Sequence, residues 1–186
     1  MNRLALERAS IRPGESVLEI GFGGGGLIAM MLAAGAGTVT GVDLSEPMVA
    51  RARRRFRAQS DKVHLHRASA EALSLADGSV DAALSVNSLY FWPDVEAALA
   101  ELARVVRPGG RLVLCFEPPE ELRKWPGHRF GFRLFEVEEM KGLMKSAGFG
   151  GIREAWGTGR KPDRFCCLSG TLSDANGSDD GKPARS

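Results

Sequence analysis

The residues best equipped for chemistry lie in one run, Glu19-Ile20-Gly21-Phe22-Gly23-Gly24-Gly25-Gly26, followed some twenty positions later by Asp43. Glycines leave room for a ligand to touch the backbone, and a helix starting after them aims its unpaired N–H groups at whatever sits there. Such a loop can hold a polar or anionic group. A carboxylate at the end of the next strand is placed to accept hydrogen bonds from ribose hydroxyls, so the two features together point to a nucleoside. Gly21, Gly23 and Gly26 also satisfy the spacing of dinucleotide-binding folds, which leaves the nucleotide open at this level. The plainer alternative is a flexible turn followed by a helix-capping acid.

These residues need a rigid frame, and the rest of the chain supplies one. Apolar runs of strand length alternate with stretches of helical period, the pattern of a parallel sheet covered by helices on both faces. Strands are expected at residues 16–20, 38–42, 63–66, 80–86 and 111–116, with further candidates at 151–155 and 164–168. Helices are expected at 27–34, from Ser45 onward, at 94–106 and at 137–147. In the helix after Ser45, Met48, Ala52 and Phe56 recur every four residues and should face the sheet, leaving Arg51, Arg53, Arg54, Arg55 and Arg57 on its solvated side. Segment 117–134 reads as irregular. Residues 173–186 have only Ala175 and Ala184 as apolar residues and are expected to be a disordered tail beyond a single domain at 1–172.

Composition narrows the partners. A chain of 186 residues with 44% hydrophobic and 26% charged content can bury one real core. A net charge of +2 is too small to argue by itself for nucleic acid or an anionic membrane, and the arginine run is expected to be a solvated helix face. The apolar stretches are too short to cross a bilayer, and the first fifteen residues lack the apolar core of a signal peptide, so a cytoplasmic location is expected. Cys115, Cys166 and Cys167 have no metal-ligand spacing; reduced thiols and no metal site are expected.

Four motifs in order resemble the class I S-adenosylmethionine-dependent methyltransferases over residues 17–168. Val17-Leu18-Glu19-Ile20-Gly21-Phe22-Gly23-Gly24-Gly25 is similar to the family's first motif and Gly41-Val42-Asp43-Leu44-Ser45 to its second. Asp77-Gly78-Ser79-Val80-Asp81-Ala82 looks like the approach to strand four, and Glu101-Leu102-Ala103-Arg104-Val105-Val106-Arg107-Pro108-Gly109-Gly110 like the lead into strand five. The resemblance implies an α/β, doubly wound, Rossmann-like sheet of seven strands in the order 3-2-1-4-5-7-6, strand seven antiparallel.

It also implies a cofactor, S-adenosyl-L-methionine, and a site for it. Gly21 and Gly23 would lie against the methionine half, Asp43 would hold the ribose, Leu44 would pack on the adenine, and Asn87 would offer its carbonyl to the ammonium. Glu19 would order the glycine loop or reach that ammonium through water. The family usually has an aspartate where this chain has Ser69; the Ala70 amide then becomes the adenine contact, with Ser69 or Glu71 as stand-in for the acid.

Methyl transfer needs no protein nucleophile, and no catalytic residue is assigned. Glu117 and His128 are candidate bases. Tyr90, Phe91 and Trp92 are candidates to line the acceptor site. Residues 118–135, with Trp125, Phe130, Phe132 and Phe135 among arginines and a lysine, are expected to form a lid, fitting an apolar or aromatic acceptor with an acidic group. The function expected is methyl transfer to a small acceptor. The alternatives are an RNA or protein methyltransferase, or a cofactor-binding protein without catalysis; the oligomeric state is left open.

Overall fold

Five parallel strands form the body of the sheet: β1 (Ser16–Ile20), β2 (Thr38–Asp43), β3 (Val63–Arg67), β4 (Val80–Val86) and β5 (Val106–Phe116). β6 (Phe149–Thr158) and β7 (Arg164–Leu172) complete the order β3-β2-β1-β4-β5-β7-β6, with β7 antiparallel to both neighbours. That is the topology the resemblance implies. The structure, a computed structural model, describes residues 1–124, 133–159 and 163–173.

Alternation along the strands feeds two cores. Leu18, Ile20, Ala83, Leu112, Leu114, Phe116, Cys166 and Leu168 point to one face. Val17, Ala82, Leu84, Val113, Cys115 and Cys167 point to the other. α1 (Asn2–Ala9), α2 (Gly26–Ala33) and α3 (Glu46–Arg55) cover the second face; α4 (Val95–Val105), the single turn α5 (Pro119–Leu122) and α6 (Val137–Ser146) cover the first. α4 shows why a sequence of this kind becomes a helix. The Asp94 side chain caps it by accepting from the Ala97 amide at 2.9 Å, and Val95, Ala98, Leu99, Leu102 and Val105 form its buried stripe. Each of its leucines contributes roughly 1.5–3 kcal/mol by burial.

The motifs around strands four and five act structurally. Arg104 on α4 donates to Glu101, Asp77 and the carbonyls of Leu73 and Leu75, so one guanidinium fastens the segment leading into β4. Asp81 accepts from Arg107 and from the Ser16 amide, tying β4 to the starts of β5 and β1.

Several elements depart from expectation. α1 was not anticipated because only Ala5 and Ala9 are buried from it, too little side chain to signal a helix; Arg111 secures its end by donating to the carbonyls of Ala9 and Ser10 while pairing with Glu15. β5 starts at Val106 because pairing passes from Val80↔Val106 to Ala82↔Arg111, and residues 107–110 loop out between. β6 exceeds residues 151–155 since, as an edge strand, it needs little apolar content. The buried stripe of α3 is Val49, Ala52 and Phe56, with Met48 only partly covered, while the five arginines are exposed as expected.

The cysteine expectation is corrected. Cys115 and Cys167 are direct partners in the β5–β7 ladder, on the same face, and form a disulfide with Cα atoms 4.0 Å apart. Register brings them together across a sequence separation of 52, which spacing cannot reveal. Cys166 faces the opposite core as a free thiol that burial pushes up to about 12. Among the described residues no helix is long and apolar enough to cross a membrane.

Candidate functional site

The chain leaves β1 toward α2 on one face of the sheet and leaves β4 toward α4 on the other. Between the carboxyl ends of these adjacent strands a crevice must open. A cavity of about 430 Å³ lies there, lined by Gly21, Gly23, Asp43, Leu44, Ala70, Asn87 and Trp92 together with Ile20, Val42, Ser45, Ala68, Ser88 and Phe91.

Backbone hydrogen bonds shape the glycine loop. The Gly21 amide donates to the Val42 carbonyl at 2.7 Å, and the Gly25 amide to the Phe22 carbonyl at 2.8 Å. Asp43 accepts from the Gly23 amide through Oδ2 at 2.8 Å and from the Ser45 amide through Oδ1 at 2.9 Å. Its carboxylate therefore holds both the loop and the start of α3, and each oxygen retains a further lone pair for a ligand. Gly21 has φ +74°, and a Cβ there would stand 2.3 Å from the Ser88 Cβ, so only glycine fits.

Glu19 lies beneath the loop, 3% exposed. It accepts from the Ile28 backbone amide, but Oε2 is buried with no hydrogen-bond partner among the described residues. Burial, and after it the charge of Asp43, pushes this carboxyl up to about 8.

A second polar group joins the ends of β4 and β5. Asn87 takes a left-handed φ of 57°, its amide donating to the Cys115 carbonyl at 2.8 Å. The Tyr90 hydroxyl donates to Asn87 Oδ1 at 3.1 Å and accepts from the Glu117 amide. Burial and then the Glu121 charge raise the Glu117 carboxyl above its ordinary value, while a hydrogen bond with the Asn87 side chain works the other way. Ser88 Oγ donates to the Ile20 carbonyl at 3.0 Å and lies 2.6 Å from Ser85 Oγ, joining the ends of β1 and β4.

The structure thus gathers Gly21, Gly23, Asp43, Leu44, Ala70, Asn87 and Trp92 on one cavity. Glu19, Ser69, Tyr90 and Glu117 stand outside its lining. Ser69 falls between two lining residues, Ala68 and Ala70, and its carbonyl accepts from the Ala72 amide. Trp125, His128 and Phe132 lie outside the described residues, as does Phe130. Phe135, expected in the lid, is wholly buried in the core with α6, and Arg133 stacks on its ring at 4.7 Å. Ile20, Val42, Ser45, Ala68 and Ser88 were missed; the smallness demanded of Gly21 is the sequence signal that bears on Ser88.

The chain is similar in sequence and fold to known proteins. Residues 18–114 match the profile of a family described as "Methyltransferase domain". The demethylmenaquinone methyltransferase of Thermus thermophilus is 37% identical over 155 residues, 81% of this chain and 66% of its own. An O-methyltransferase of Penicillium expansum, cnsE, is 32% identical over 152 residues, 76% of this chain and 54% of its own. The crystal structure of a SAM-dependent methyltransferase from Thermotoga maritima superposes with a TM-score of 0.71 at 28% identity, covering 91% of this chain and 88% of that one. The chain spans about a third to two thirds of the length of the curated relatives it matches.

Proposed function

The chain belongs to the class I S-adenosylmethionine-dependent methyltransferase family, and from that premise we propose that it moves the methyl group of S-adenosylmethionine to a small acceptor at the carboxyl edge of its sheet. The observation carrying this is the pair Gly21 and Asp43 on the cavity with Glu19 buried beneath the glycine loop. A buried carboxylate oxygen without a partner calls for a cationic or hydrogen-donating group, and the cofactor's ammonium is one. The fit is chemical as well as steric: Gly21 leaves bare backbone beside it, and Asp43 keeps acceptor capacity for ribose hydroxyls.

In this reading Leu44 packs on the adenine, the Ala70 amide and Ser69 serve its polar edge, and the Asn87 carbonyl is a second acceptor for the ammonium. When bound, the cofactor supplies an already activated sulfonium methyl group. The protein's part is to hold the acceptor in line with it, and positioning of that kind supplies about 7–11 kcal/mol in favourable cases. Phe91 and Trp92 offer aromatic faces on the cavity wall. Glu117, just outside the cavity lining, has a raised carboxyl hydrogen-bonded with the Asn87 side chain and a backbone amide held by the Tyr90 hydroxyl, and it is the candidate proton acceptor among the described residues for an acceptor hydroxyl or amine. The small acceptor is supported by the relatives, one of which is named for demethylmenaquinone and another for O-methyl transfer.

Calorimetric titration with S-adenosylmethionine, its demethylated product and NAD tests the core of this proposal. The first two are expected to bind and NAD is not. Binding of NAD without S-adenosylmethionine would overturn it.

A further inference from the structure

Four consecutive glycines, Gly23 to Gly26, give the loop after β1 a backbone freedom that works against a fixed ligand site. A Cβ at Gly23 or Gly24 would meet nothing within 4 Å, so at these positions the loop has no packing of its own. Its order must come from other elements. On the cavity side Asp43 accepts from the Gly23 amide. The opposite side is held by the end of α3.

Arg55 is the last residue of α3, and its Nη1 donates to the Gly24 carbonyl at 2.5 Å across 31 positions of sequence. Its guanidinium lies 5.2 Å from the centre of the Phe56 ring, within reach of a cation–π contact, so the ring supports the arm that makes the bond. Phe56 is itself fixed, buried in the core of that face with Val63 and Leu65. Its edge also meets the loop: a Cβ at Gly25, where φ is +71°, would stand 2.6 Å from Phe56 Cε2. The Gly25 amide donates to the Phe22 carbonyl at 2.8 Å, so both polar groups of the peptide between Gly24 and Gly25 are engaged and its plane is set. Docking of the helix has other supports. Arg53 donates to the Leu65 carbonyl at 3.0 Å, and Val49 and Ala52 are buried against the sheet.

We propose that Arg55, seated on the Phe56 ring, is a positioning residue for S-adenosylmethionine: it keeps the glycine loop in the shape that receives the methionine half of the cofactor. The proposal rests on the cofactor reading above. Arg55 does not line the cavity, so it acts through the loop and not by contact. A loop that samples shapes unable to bind lowers the apparent affinity by the fraction of time it spends in them. Arg55 reduces that fraction. Because Gly21 and Gly23 serve the methionine half while Leu44 and Ala70 serve the adenine, its loss is felt by ligands that carry the amino-acid part and not by those that lack it.

Calorimetry on the full chain with S-adenosylmethionine, its demethylated product and methylthioadenosine tests this, since the last keeps adenine and ribose but has no amino acid. Arg55→Ala is expected to weaken the first two about three- to tenfold, the worth of one hydrogen bond, and to leave methylthioadenosine within about twofold. Arg55→Lys, which keeps the charge without the fork, should fall between. In the cofactor-free variant the Gly25 amide should exchange its hydrogen faster while the urea midpoint stays at the parental value. Gly24→Ala stiffens the loop where a Cβ meets no neighbour, and added to Arg55→Ala it should restore about two- to fivefold of the lost affinity. Unchanged S-adenosylmethionine binding in Arg55→Ala, an equal loss for methylthioadenosine, a Gly25 exchange rate indifferent to the substitution, or a deficit that Gly24→Ala leaves untouched overturns the proposal. A parent chain that binds no S-adenosylmethionine overturns the cofactor reading and the proposal with it, whereas a parent that binds and variants that match it overturn the proposal alone.

Discussion

Glu19→Gln isolates the one buried carboxylate oxygen that lacks a partner among the described residues. Burial moves the Glu19 carboxyl from 4.5 up to about 8, so the folded state favours the protonated acid. For a carboxyl raised in this way, the stabilisation is complete below the unfolded-state value and is lost as pH rises through the folded one. At about 1.36 kcal/mol per pH unit, the loss between these limits is roughly 5 kcal/mol. Glutamine has the shape of the protonated acid, can still accept from the Ile28 amide and does not titrate. Urea denaturation without cofactor is therefore expected to find the variant within about 1 kcal/mol of the parent at pH 5 and roughly 3–5 kcal/mol more stable at pH 8.5, the gap widening by up to about 1.4 kcal/mol per unit. Cofactor affinity is expected to move the opposite way: the glutamine variant has no charge to offer the ammonium and should bind S-adenosylmethionine at least about tenfold more weakly. Parallel stability curves from pH 5 to 8.5 would refute the reasoning, because Glu19 would then be as well solvated folded as unfolded.

Asp43→Ala removes a charged acceptor from the proposed ribose contact and from two backbone amides, and should weaken S-adenosylmethionine roughly ten- to a hundredfold by calorimetry; an unchanged dissociation constant would exclude Asp43 as ribose ligand. Gly21→Ala places a Cβ 2.3 Å from the Ser88 Cβ at φ +74° and should cost about 1–3 kcal/mol or more in chemical denaturation, together with cofactor affinity. A variant of parental stability would mean that the end of β4 yields. Phe91 is 54% exposed on the cavity wall, so Phe91→Ala should keep stability within about 1 kcal/mol and cofactor affinity within about threefold while lowering acceptor turnover. Destabilisation by several kcal/mol would assign Phe91 to packing instead.

Legibility in the sequence tracked the range of the interaction. The glycine loop and Asp43 were readable because a strand, a turn and a helix start are local, and their hydrogen bonds join neighbouring segments. Ser88 was not, since its place depends on the end of β4 meeting Gly21 across 67 positions. Three consecutive aromatics after β4 were visible, but the 3-10 turn Leu89–Phe91 separates them: Tyr90 is buried outside the lining, while Phe91 and Trp92 reach the cavity. The Cys115–Cys167 pairing follows from register alone, which the alternation of residues does not fix between distant strands. The outward histidines of β3 could be read from period two, whereas the packing of Val63 and Leu65 against Phe56 exists only once α3 docks.

The insertion of β7 between β5 and β6 has a consequence for biosynthesis. β6 leaves the ribosome before β7 and pairs with no other strand, so it has nowhere to dock until β7 follows. Until then the flank of β5 from Leu112 to Phe116, wholly apolar and buried in the finished sheet, offers an open ladder edge to any other chain. Every residue lining the cavity has by then been made, the last being Trp92. A nascent chain can thus assemble its pocket early while its sheet stays incomplete, and a truncation that removes β7 from Arg164 onward would leave the aggregation-prone edge exposed for good rather than merely shorten the protein.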